Sequence, residues 1–121
     1  EALAADPAVC LLGEDIALGG PFGATRGLAE RFGEDRVRNT PISEATLMGL
    51  AIGAAMAGRR PVLEIMFIDF ITLAMDQLVN QAAKVLQDRP CEWGRFCDVH
   101  VDALVFCSHD QTPVRGVSMF I

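Results

Sequence analysis

Apolar and polar positions along residues 1–84 follow the order of β-α units, and the pattern changes after Lys84. Ala8-Val-Cys-Leu-Leu is a short apolar run closed by Gly13, which predicts a strand buried on both faces. The turn-forming run Gly19-Gly-Pro-Phe-Gly follows, and a short helix is predicted over 28–32.

Two further strands and two longer helices complete the pattern. Arg36-Val-Arg-Asn-Thr predicts a second strand, and Thr40-Pro-Ile-Ser opens a helix that runs to about Ala57. Pro61-Val-Leu-Glu-Ile-Met-Phe predicts the third strand. An amphipathic helix is predicted over about 69–86, because apolar residues recur there at every fourth position: Phe70, Ala74, Leu78 and Ala82.

Strands that alternate with helices predict an α/β fold, with a parallel sheet covered by helices. Three strands are few for such a sheet, so we expect an incomplete, doubly wound parallel sheet over residues 1–84. Residues 85–121 break the pattern, and they are predicted to form a divergent, poorly packed tail.

Composition and charge exclude several classes of protein. Of the 121 residues, 51% are hydrophobic and 21% are charged, which excludes intrinsic disorder for the chain as a whole. The net charge is −6, so we expect neither a nucleic-acid surface nor a membrane surface. The four cysteines follow no leader-like segment, and we expect a soluble protein in a reducing, intracellular setting.

Thr40-Pro-Ile-Ser-Glu44 is the sharpest local signal, and two interpretations fit it. A proline before a helix, a hydroxyl cap and an acidic residue in the first turn are ordinary features of a helix N-terminus. In the alternative, Glu44 is buried and shares a proton with a ligand near neutral pH. Spacing alone does not separate the two.

Gly49 and Gly53 place small residues one helical turn apart. Such a pair lets a helix pack closely on its own sheet, or lets a helix of a second subunit approach. The residues favour the two interpretations evenly.

Six segments resemble one family in order and spacing. They are Leu12-Gly-Glu-Asp-Ile, Gly19-Gly-Pro-Phe-Gly-Ala-Thr-Arg-Gly-Leu, Thr40-Pro-Ile-Ser-Glu-Ala, Gly49-Leu-Ala-Ile-Gly-Ala-Ala-Met-Ala-Gly, Arg60-Pro-Val-Leu-Glu-Ile-Met-Phe-Ile-Asp-Phe and Asp76-Gln-Leu-Val-Asn-Gln-Ala-Ala-Lys84. The family they resemble is the beta subunit of thiamine-diphosphate-dependent 2-oxoacid dehydrogenases, of the pyruvate, branched-chain and acetoin types. One such motif is weak, whereas six in series are specific.

The resemblance implies that the chain is the front part of a pyrimidine-binding domain. It implies further that thiamine diphosphate lies between two subunits: the beta subunit holds the aminopyrimidine ring, and the alpha subunit holds the diphosphate and its magnesium. This chain has no Gly-Asp-Gly followed by Asn, so we expect no metal site in it.

The resemblance also implies roles for individual residues. Glu44 would hydrogen-bond N1′ of the aminopyrimidine and favour its imino tautomer, whose exocyclic nitrogen removes the thiazolium C2 proton. Met66 and Phe70 would line the pyrimidine pocket, and Ile42 would supply a backbone contact. Glu14 matches an acidic residue of a water-filled tunnel between two active sites; otherwise it is a solvated carboxylate after a strand.

The partners implied are an alpha subunit and a second beta subunit in an α₂β₂ assembly, with Gly49 and Gly53 at a helix-packing interface. A lipoyl-bearing acyltransferase would dock on a C-terminal domain outside this chain, and the chain alone is expected to be inactive. Asp76, Gln77 and Asn80 are assigned to packing surfaces. The location implied is the bacterial cytoplasm, or the mitochondrial matrix of a eukaryote.

The tail departs from the family at Val85-Leu-Gln-Asp-Arg. One codon choice for this run, with its first base dropped, encodes Phe-Tyr-Arg-Thr-Gly, which is closer to the expected continuation. We therefore hypothesise that residues 85–121 derive from a shifted reading frame, and a divergent tail is the competing explanation. The tail also holds two cysteines and two histidines (Cys97, His100, Cys107 and His109), but their spacing is poor for zinc.

Two alternative functions remain open at this point. The first keeps the cofactor and changes the reaction, in a domain of the transketolase or deoxyxylulose-phosphate-synthase type. The second is a non-catalytic fragment that only associates with partner helices through Gly49 and Gly53.

Overall fold

A parallel three-stranded sheet forms the centre of the molecule. The computed structural model describes residues 1–20, 23–88, 100–103 and 117–120. Its first three strands are β1 (Val9–Gly13), β2 (Val37–Asn39) and β3 (Arg60–Leu63), in the order β2-β1-β3. Both pairings are parallel, with Leu11 opposite Val37 on one side and Val62 on the other. All five residues of β1 are buried, as the apolar run predicted.

Helical segments connect the strands. They are α1 (Ala2–Ala5), a 3₁₀ turn (Ile16–Leu18), α2 (Leu28–Phe32), α3 (Glu44–Met56), a second 3₁₀ turn (Ile68–Phe70), α4 (Ile71–Asp76), a π-helical segment (Gln77–Ala82) and α5 (Ala83–Asp88). The predicted ends of α2 and α3 are confirmed, because Gly33 (φ +82°) and Gly58 (φ +85°) adopt left-handed backbone there. That conformation is accessible to glycine at no steric cost.

The two faces of the sheet bury separate hydrophobic clusters. Successive residues of a strand point to opposite faces, so Leu11 and Leu12 enter different clusters. Leu12 packs with α3 and the helices that follow β3, through Leu47, Met48, Ala51, Ala74 and Leu78. Leu11 packs with Ile16 and Val37 and with side chains of α1 and α2. Helices on both faces make this a doubly wound α/β sheet.

The third strand is shorter than predicted. The apolar run suggested a strand through Phe67, but β3 ends at Leu63. Its neighbour β1 ends at Gly13, and the last hydrogen bond between them joins Glu64 N to Leu12 O at 2.9 Å. Ile65 is nevertheless buried in the cluster beneath α3. The apolar run therefore predicted the burial of Ile65 correctly, but β3 ends at Leu63 because its partner β1 ends at Gly13.

The long amphipathic helix is confirmed in part. Ala74, Leu78 and Ala82 are buried, as their spacing predicted, but Phe70 is 42% exposed. The pattern did not predict the π-helical segment.

Of the tail, the structure describes β4 (His100–Ala103) and β5 (Val117–Phe120), which pair antiparallel. Three of the four zinc-candidate residues, Cys97, Cys107 and His109, lie outside the described residues. The boundary at residue 84 and the poor packing of 85–121 remain predictions.

Candidate active site at the carboxyl edge of the sheet

Polar residues follow each of the three parallel strands at the same edge of the sheet. Glu14 follows β1, Thr40 follows β2 and Glu64 follows β3. Thr40 N donates to Gly13 O at 2.9 Å, which keeps the strand ends level. The chain leaves β1 towards β2 and then crosses to β3 on the other side of β1. In doubly wound sheets ligands bind at such a switch point, outside the carboxyl ends of the strands.

Glu44 is the first residue of α3, and its side chain is only 9% exposed. The interpretation of this segment as an ordinary capped N-terminus is wrong in one respect. Ser43 makes no side-chain hydrogen bond to the helix backbone and instead donates to the hydroxyl of Thr46, at 2.7 Å. The burial of Glu44 meets the requirement of the functional interpretation, because a capping or solvated carboxylate would lie in water.

Glu14 and Glu44 lie close enough to interact electrostatically. The pKa of Glu14 is raised above its ordinary value by desolvation, by the nearby charge of Glu44 and, third, by that of Asp15. Two neighbouring carboxylates resist carrying two negative charges, so the edge retains a proton at higher pH than an isolated glutamate would. The description of Glu14 as a solvated carboxylate is therefore incomplete.

The segment that carries Glu14 is fixed by side-chain hydrogen bonds to its backbone. Ala17 N donates to Asn39 Oδ1 at 2.7 Å, and Thr25 Oγ1 donates to Ile16 O at 2.6 Å. Asp15 adopts a left-handed conformation (φ 52°) in the turn. The sequence did not single out Asn39, which lies inside the predicted second strand, or Thr25, which follows the predicted turn Gly19-Gly-Pro-Phe-Gly.

The three other expected pocket residues also lie at this edge. Ile42 precedes α3 and is 79% exposed. Met66 and Phe70 lie in the connection between β3 and α4, and the ring of Phe70 contacts that of Phe67 edge to face, at 5.7 Å between centroids. The exposed part of Phe70 is available to a ligand or a second subunit.

Two polar atoms at this edge are buried without a hydrogen-bond partner in the part of the chain that the structure describes: Thr40 Oγ1 and Glu64 Oε2. Buried polar atoms are usually satisfied, so each calls for a partner. Thr40 directly follows β2 and lies four residues before Glu44. A polar ligand atom at this edge would give the Thr40 hydroxyl a hydrogen-bond partner.

The glycine pair of α3 faces away from the sheet. Within the part of the chain that the structure describes, a Cβ at Gly53 would meet no atom within 4 Å, and a Cβ at Gly49 would lie 3.4 Å from Gln77 Oε1. Neither glycine is needed for packing α3 on its own sheet. Gly49 instead lies under Gln77, in a shallow groove that also includes Ala45, Thr46 and Leu50.

Among the described residues, no three His, Cys, Asp or Glu side chains are grouped so as to hold a metal ion. In the same part of the chain, no helix is both long and apolar enough to cross a bilayer.

Comparison with known proteins defines the family. Residues 1–96 match the family described as the transketolase pyrimidine-binding domain. The match covers well over half of the chain, and the chain belongs to this family.

The curated relatives include beta subunits of oxidoreductases. The mitochondrial 2-oxoisovalerate dehydrogenase subunit beta of Chaetomium thermophilum is 58% identical over 83 residues, which are 69% of this chain and 18% of the relative. The 2-oxoisovalerate dehydrogenase subunit beta of Bacillus subtilis is 44% identical over 104 residues, 85% of this chain and 31% of the relative. The acetoin:2,6-dichlorophenolindophenol oxidoreductase subunit beta of Cupriavidus necator is 49% identical over 90 residues, 65% of this chain and 26% of the relative.

The chain thus spans less than a third of the length of these relatives. The family match reaches residue 96, beyond the boundary that the sequence suggested at residue 84.

Proposed function

We propose that this chain supplies the aminopyrimidine half of a thiamine diphosphate site in the beta subunit of a 2-oxoacid dehydrogenase. The observation that carries the proposal is the buried carboxyl group of Glu44, at the carboxyl edge of a pyrimidine-binding-domain sheet and beside Glu14. The names of the relatives support a dehydrogenase rather than another thiamine enzyme.

The donor set at this edge fits an aminopyrimidine. The ring needs a group that shares a proton with a ring nitrogen, and the carboxyl group of Glu44 is buried but still accessible. The unpartnered hydroxyl of Thr40 adds a polar contact, and Phe70 and Met66 add apolar surface for a flat ring. The main chain at Ile42 is exposed and open to a further contact.

When bound, thiamine diphosphate supplies the electron sink into which a 2-oxoacid loses carbon dioxide. Glu44 would hold the ring through a hydrogen bond between its carboxyl group and N1′, and its burial would strengthen that bond. Glu14 lies beside it, and the pKa of Glu14 is raised by desolvation and by the charge of Glu44, so Glu14 takes up a proton more readily than an isolated glutamate. Phe70 excludes water from one side of the ring.

The rest of the enzyme is proposed to come from partners. An alpha subunit would hold the diphosphate and magnesium, and a second beta subunit would complete an α₂β₂ assembly, with Gly49 and Gly53 between them. A lipoyl-bearing acyltransferase would receive the acyl group through a domain beyond this chain. The chain alone is expected to be inactive. Bacterial cytoplasm or the mitochondrial matrix is the proposed location.

The acceptor specificity tests this proposal. The protein, assembled with its alpha subunit, is given a panel of 2-oxoacids with a lipoyl domain as acceptor, and separately an aldose phosphate as acceptor. Reductive acylation of the lipoyl domain is expected. Loss of carbon dioxide from the 2-oxoacid and formation of a C–C bond between the remaining carbon unit and the aldehyde of the aldose phosphate, without acylation of the lipoyl domain, would instead establish an enzyme of the deoxyxylulose-phosphate-synthase type.

A further inference from the structure

Glu64 is a half-buried carboxyl group to which the proposed mechanism gives no role. It follows β3 directly, and its backbone N–H extends the β1–β3 ladder by one hydrogen bond to Leu12 O. Its side chain therefore starts from a fixed point at the carboxyl edge of the sheet.

Two glycines enclose this side chain. A Cβ at Gly13 would lie 3.0 Å from Cβ of Glu64 and 3.2 Å from its carbonyl oxygen. A Cβ at Gly20 would lie 3.2 Å from Oε1 and 3.5 Å from Oε2 of Glu64. Side chains at these positions would crowd Glu64, so the absence of a Cβ at both makes room for it.

The two glycines flank the segment 14–19, which begins with Glu14. Gly20 has left-handed backbone (φ +66°), and its N–H donates to Asp15 O at 3.0 Å, which closes the turn. The hydroxyl of Thr25 lies 3.5 Å from the same Gly20 Cβ position, so it and the carboxyl group of Glu64 border one small space. Glu64 thus lies next to Gly13 and Gly20, the residues that flank the segment carrying Glu14.

The charge state of Glu64 agrees with this position. Burial raises the pKa of Glu64, and no charged side chain among the described residues contributes to the shift. Oε2 has no hydrogen-bond partner among the described residues. A neutral carboxyl group fits such a place better than a charged one, because burying an unpaired charge is costly.

We propose that Glu64 is a positioning residue: its carboxyl group, seated between Gly13 and Gly20, holds the segment 14–19 against the end of β3 and so fixes Glu14 beside Glu44. The proposal deepens the proposed function, since it concerns the same carboxylate pair. It acts through the volume of its side chain, and glutamine, which has nearly the same shape, is therefore an adequate replacement.

Titration of Glu14 in the full chain tests the proposal without cofactor, partner or turnover. Carboxyl carbon shifts of Glu14 are followed against pH by NMR in the wild type, Glu64→Gln and Glu64→Ala. In Glu64→Ala the segment relaxes and Glu14 moves into solvent, so its midpoint falls towards that of an ordinary glutamate. In Glu64→Gln the midpoint of Glu14 stays where it is in the wild type.

A matched control and a second variant keep the result interpretable. Glu34→Ala removes an exposed carboxylate on a distant turn, and it is expected to leave the titration of Glu14 unchanged. Gly20→Ala presses on the carboxyl group of Glu64 from the other side, and it is expected to lower the midpoint of Glu14 even if Glu64→Ala does not fold.

An unchanged Glu14 midpoint in Glu64→Ala, or equal falls in Glu64→Ala and Glu64→Gln, would overturn the positioning role. If Glu64→Ala is unfolded, an unchanged midpoint in Gly20→Ala overturns it instead. These outcomes leave the proposed function standing, because turnover by the assembled enzyme tests that function separately.

Discussion

The charge of Glu44, at the start of α3, raises the pKa of Glu14, at the end of β1. The two residues are distant in sequence, and the parallel order of β1 and β2 brings them to one edge of the sheet. The site is thus a consequence of topology: each carboxyl group is unremarkable in its local sequence, and the fold brings the two close enough for the charge of Glu44 to act on Glu14.

The stability of the chain should depend on the charge of Glu14. A raised folded-state pKa means that the favourable contribution of protonated Glu14 is complete below the ordinary value of 4.5 and is lost as the pH rises through the folded-state pKa. Glu14→Gln is therefore expected to be more stable than the wild type at neutral pH, by a few tenths of a kcal/mol (about 0.3) because the site is partly solvated. Urea unfolding at roughly pH 7 and roughly pH 4 measures the difference in unfolding free energy between Glu14→Gln and the wild type. The difference should vanish at the lower pH, where Glu14 is protonated.

The control is Glu34→Gln on an exposed turn, which should change stability equally at both values of pH. A gain for Glu14→Gln that persists at acid pH would contradict the electrostatic origin of the effect.

Much of the fold was predictable because burial imposes periodicity. The apolar run of β1, the glycine that ends α2 and the span of α3 all follow from local chemistry, and they are confirmed. The end of β3 was not predictable, since it depends on where its partner β1 ends. The role of Ser43 was also missed, because a hydroxyl before a helix predicts a cap, whereas here its partner is Thr46.

The spacing of the apolar residues by four is compatible with the π-helical segment, although it predicts an α-helix. Apolar residues spaced by four drift around an α-helix by about 40° per step, because a turn takes 3.6 residues. The wider turn at Gln77–Ala82 keeps Leu78 and Ala82 buried despite this drift.

At the site, Glu44, Glu14, Met66, Phe70 and Ile42 were selected by resemblance, and the structure places all five at the carboxyl edge. Their roles remain proposals. Thr40 and Glu64 were missed because nothing in the local sequence distinguishes a buried, unpartnered polar atom from a solvated one.

The glycines of α3 allow the two interpretations of that pair to be separated. Gly53→Ala adds a methyl group in open space within the chain, and alanine is the better helix former by about 1 kcal/mol, so the chain itself should gain roughly 0.5–1 kcal/mol of stability. If α3 packs on a helix of a second subunit, the same variant should dissociate the assembly at higher concentration than the wild type. Urea unfolding of the chain and sedimentation of the assembled protein measure the two effects.

Gly49→Ala provides the comparison, because its Cβ would approach Gln77 Oε1 at 3.4 Å and so gain less stability. Unchanged dissociation in Gly53→Ala would remove that glycine from the proposed interface.

Arg36 is expected to be the arginine with the largest effect on folding. Its Nε donates to Val9 O at 3.0 Å, its Nη2 donates to Asp6 O at 2.6 Å and to Val9 O at 2.9 Å, and its guanidinium lies over the Phe32 ring. Arg36→Ala removes the guanidinium donor from both carbonyl groups, of which Asp6 O keeps the N–H of Val9 at 3.2 Å, and should cost about 2 kcal/mol. Chemical unfolding followed by circular dichroism measures the loss.

The matched control is Arg38→Ala, two residues away on β2. Arg38 pairs with Asp35 at 3.5 Å, with side chains 59% and 98% exposed, and such pairs contribute little. A loss for Arg38→Ala comparable to that of Arg36→Ala would show that charge, rather than the carbonyl bonds, stabilises this corner.

The shifted-frame hypothesis for residues 85–121 predicts a specific result at the level of the gene. Resequencing across the codons for 84–89 and on past the last codon of the chain should yield a one-base correction that restores a Gly-Gly continuation and a long reading frame. Confirmation of the present codons, with no single-base change that restores the family pattern, would favour the divergent tail.

The poor packing predicted for residues 85–121 is tested separately by amide hydrogen exchange. Strong protection across 85–121 would contradict that prediction.

The role of Glu44 is the central claim, and turnover of the assembled protein tests it most directly. Glu44→Ala removes the proton partner at the start of α3, whereas Thr46→Ala alters an exposed residue in the same helical turn. Assembly with the alpha subunit is verified by sedimentation, and 2-oxoacid-dependent acylation of a lipoyl domain is then measured. We expect Glu44→Ala to assemble normally and lose at least about 100-fold in kcat, as general acid–base groups typically contribute, while Thr46→Ala stays near the wild type. Wild-type turnover in a correctly assembled Glu44→Ala protein would contradict the account.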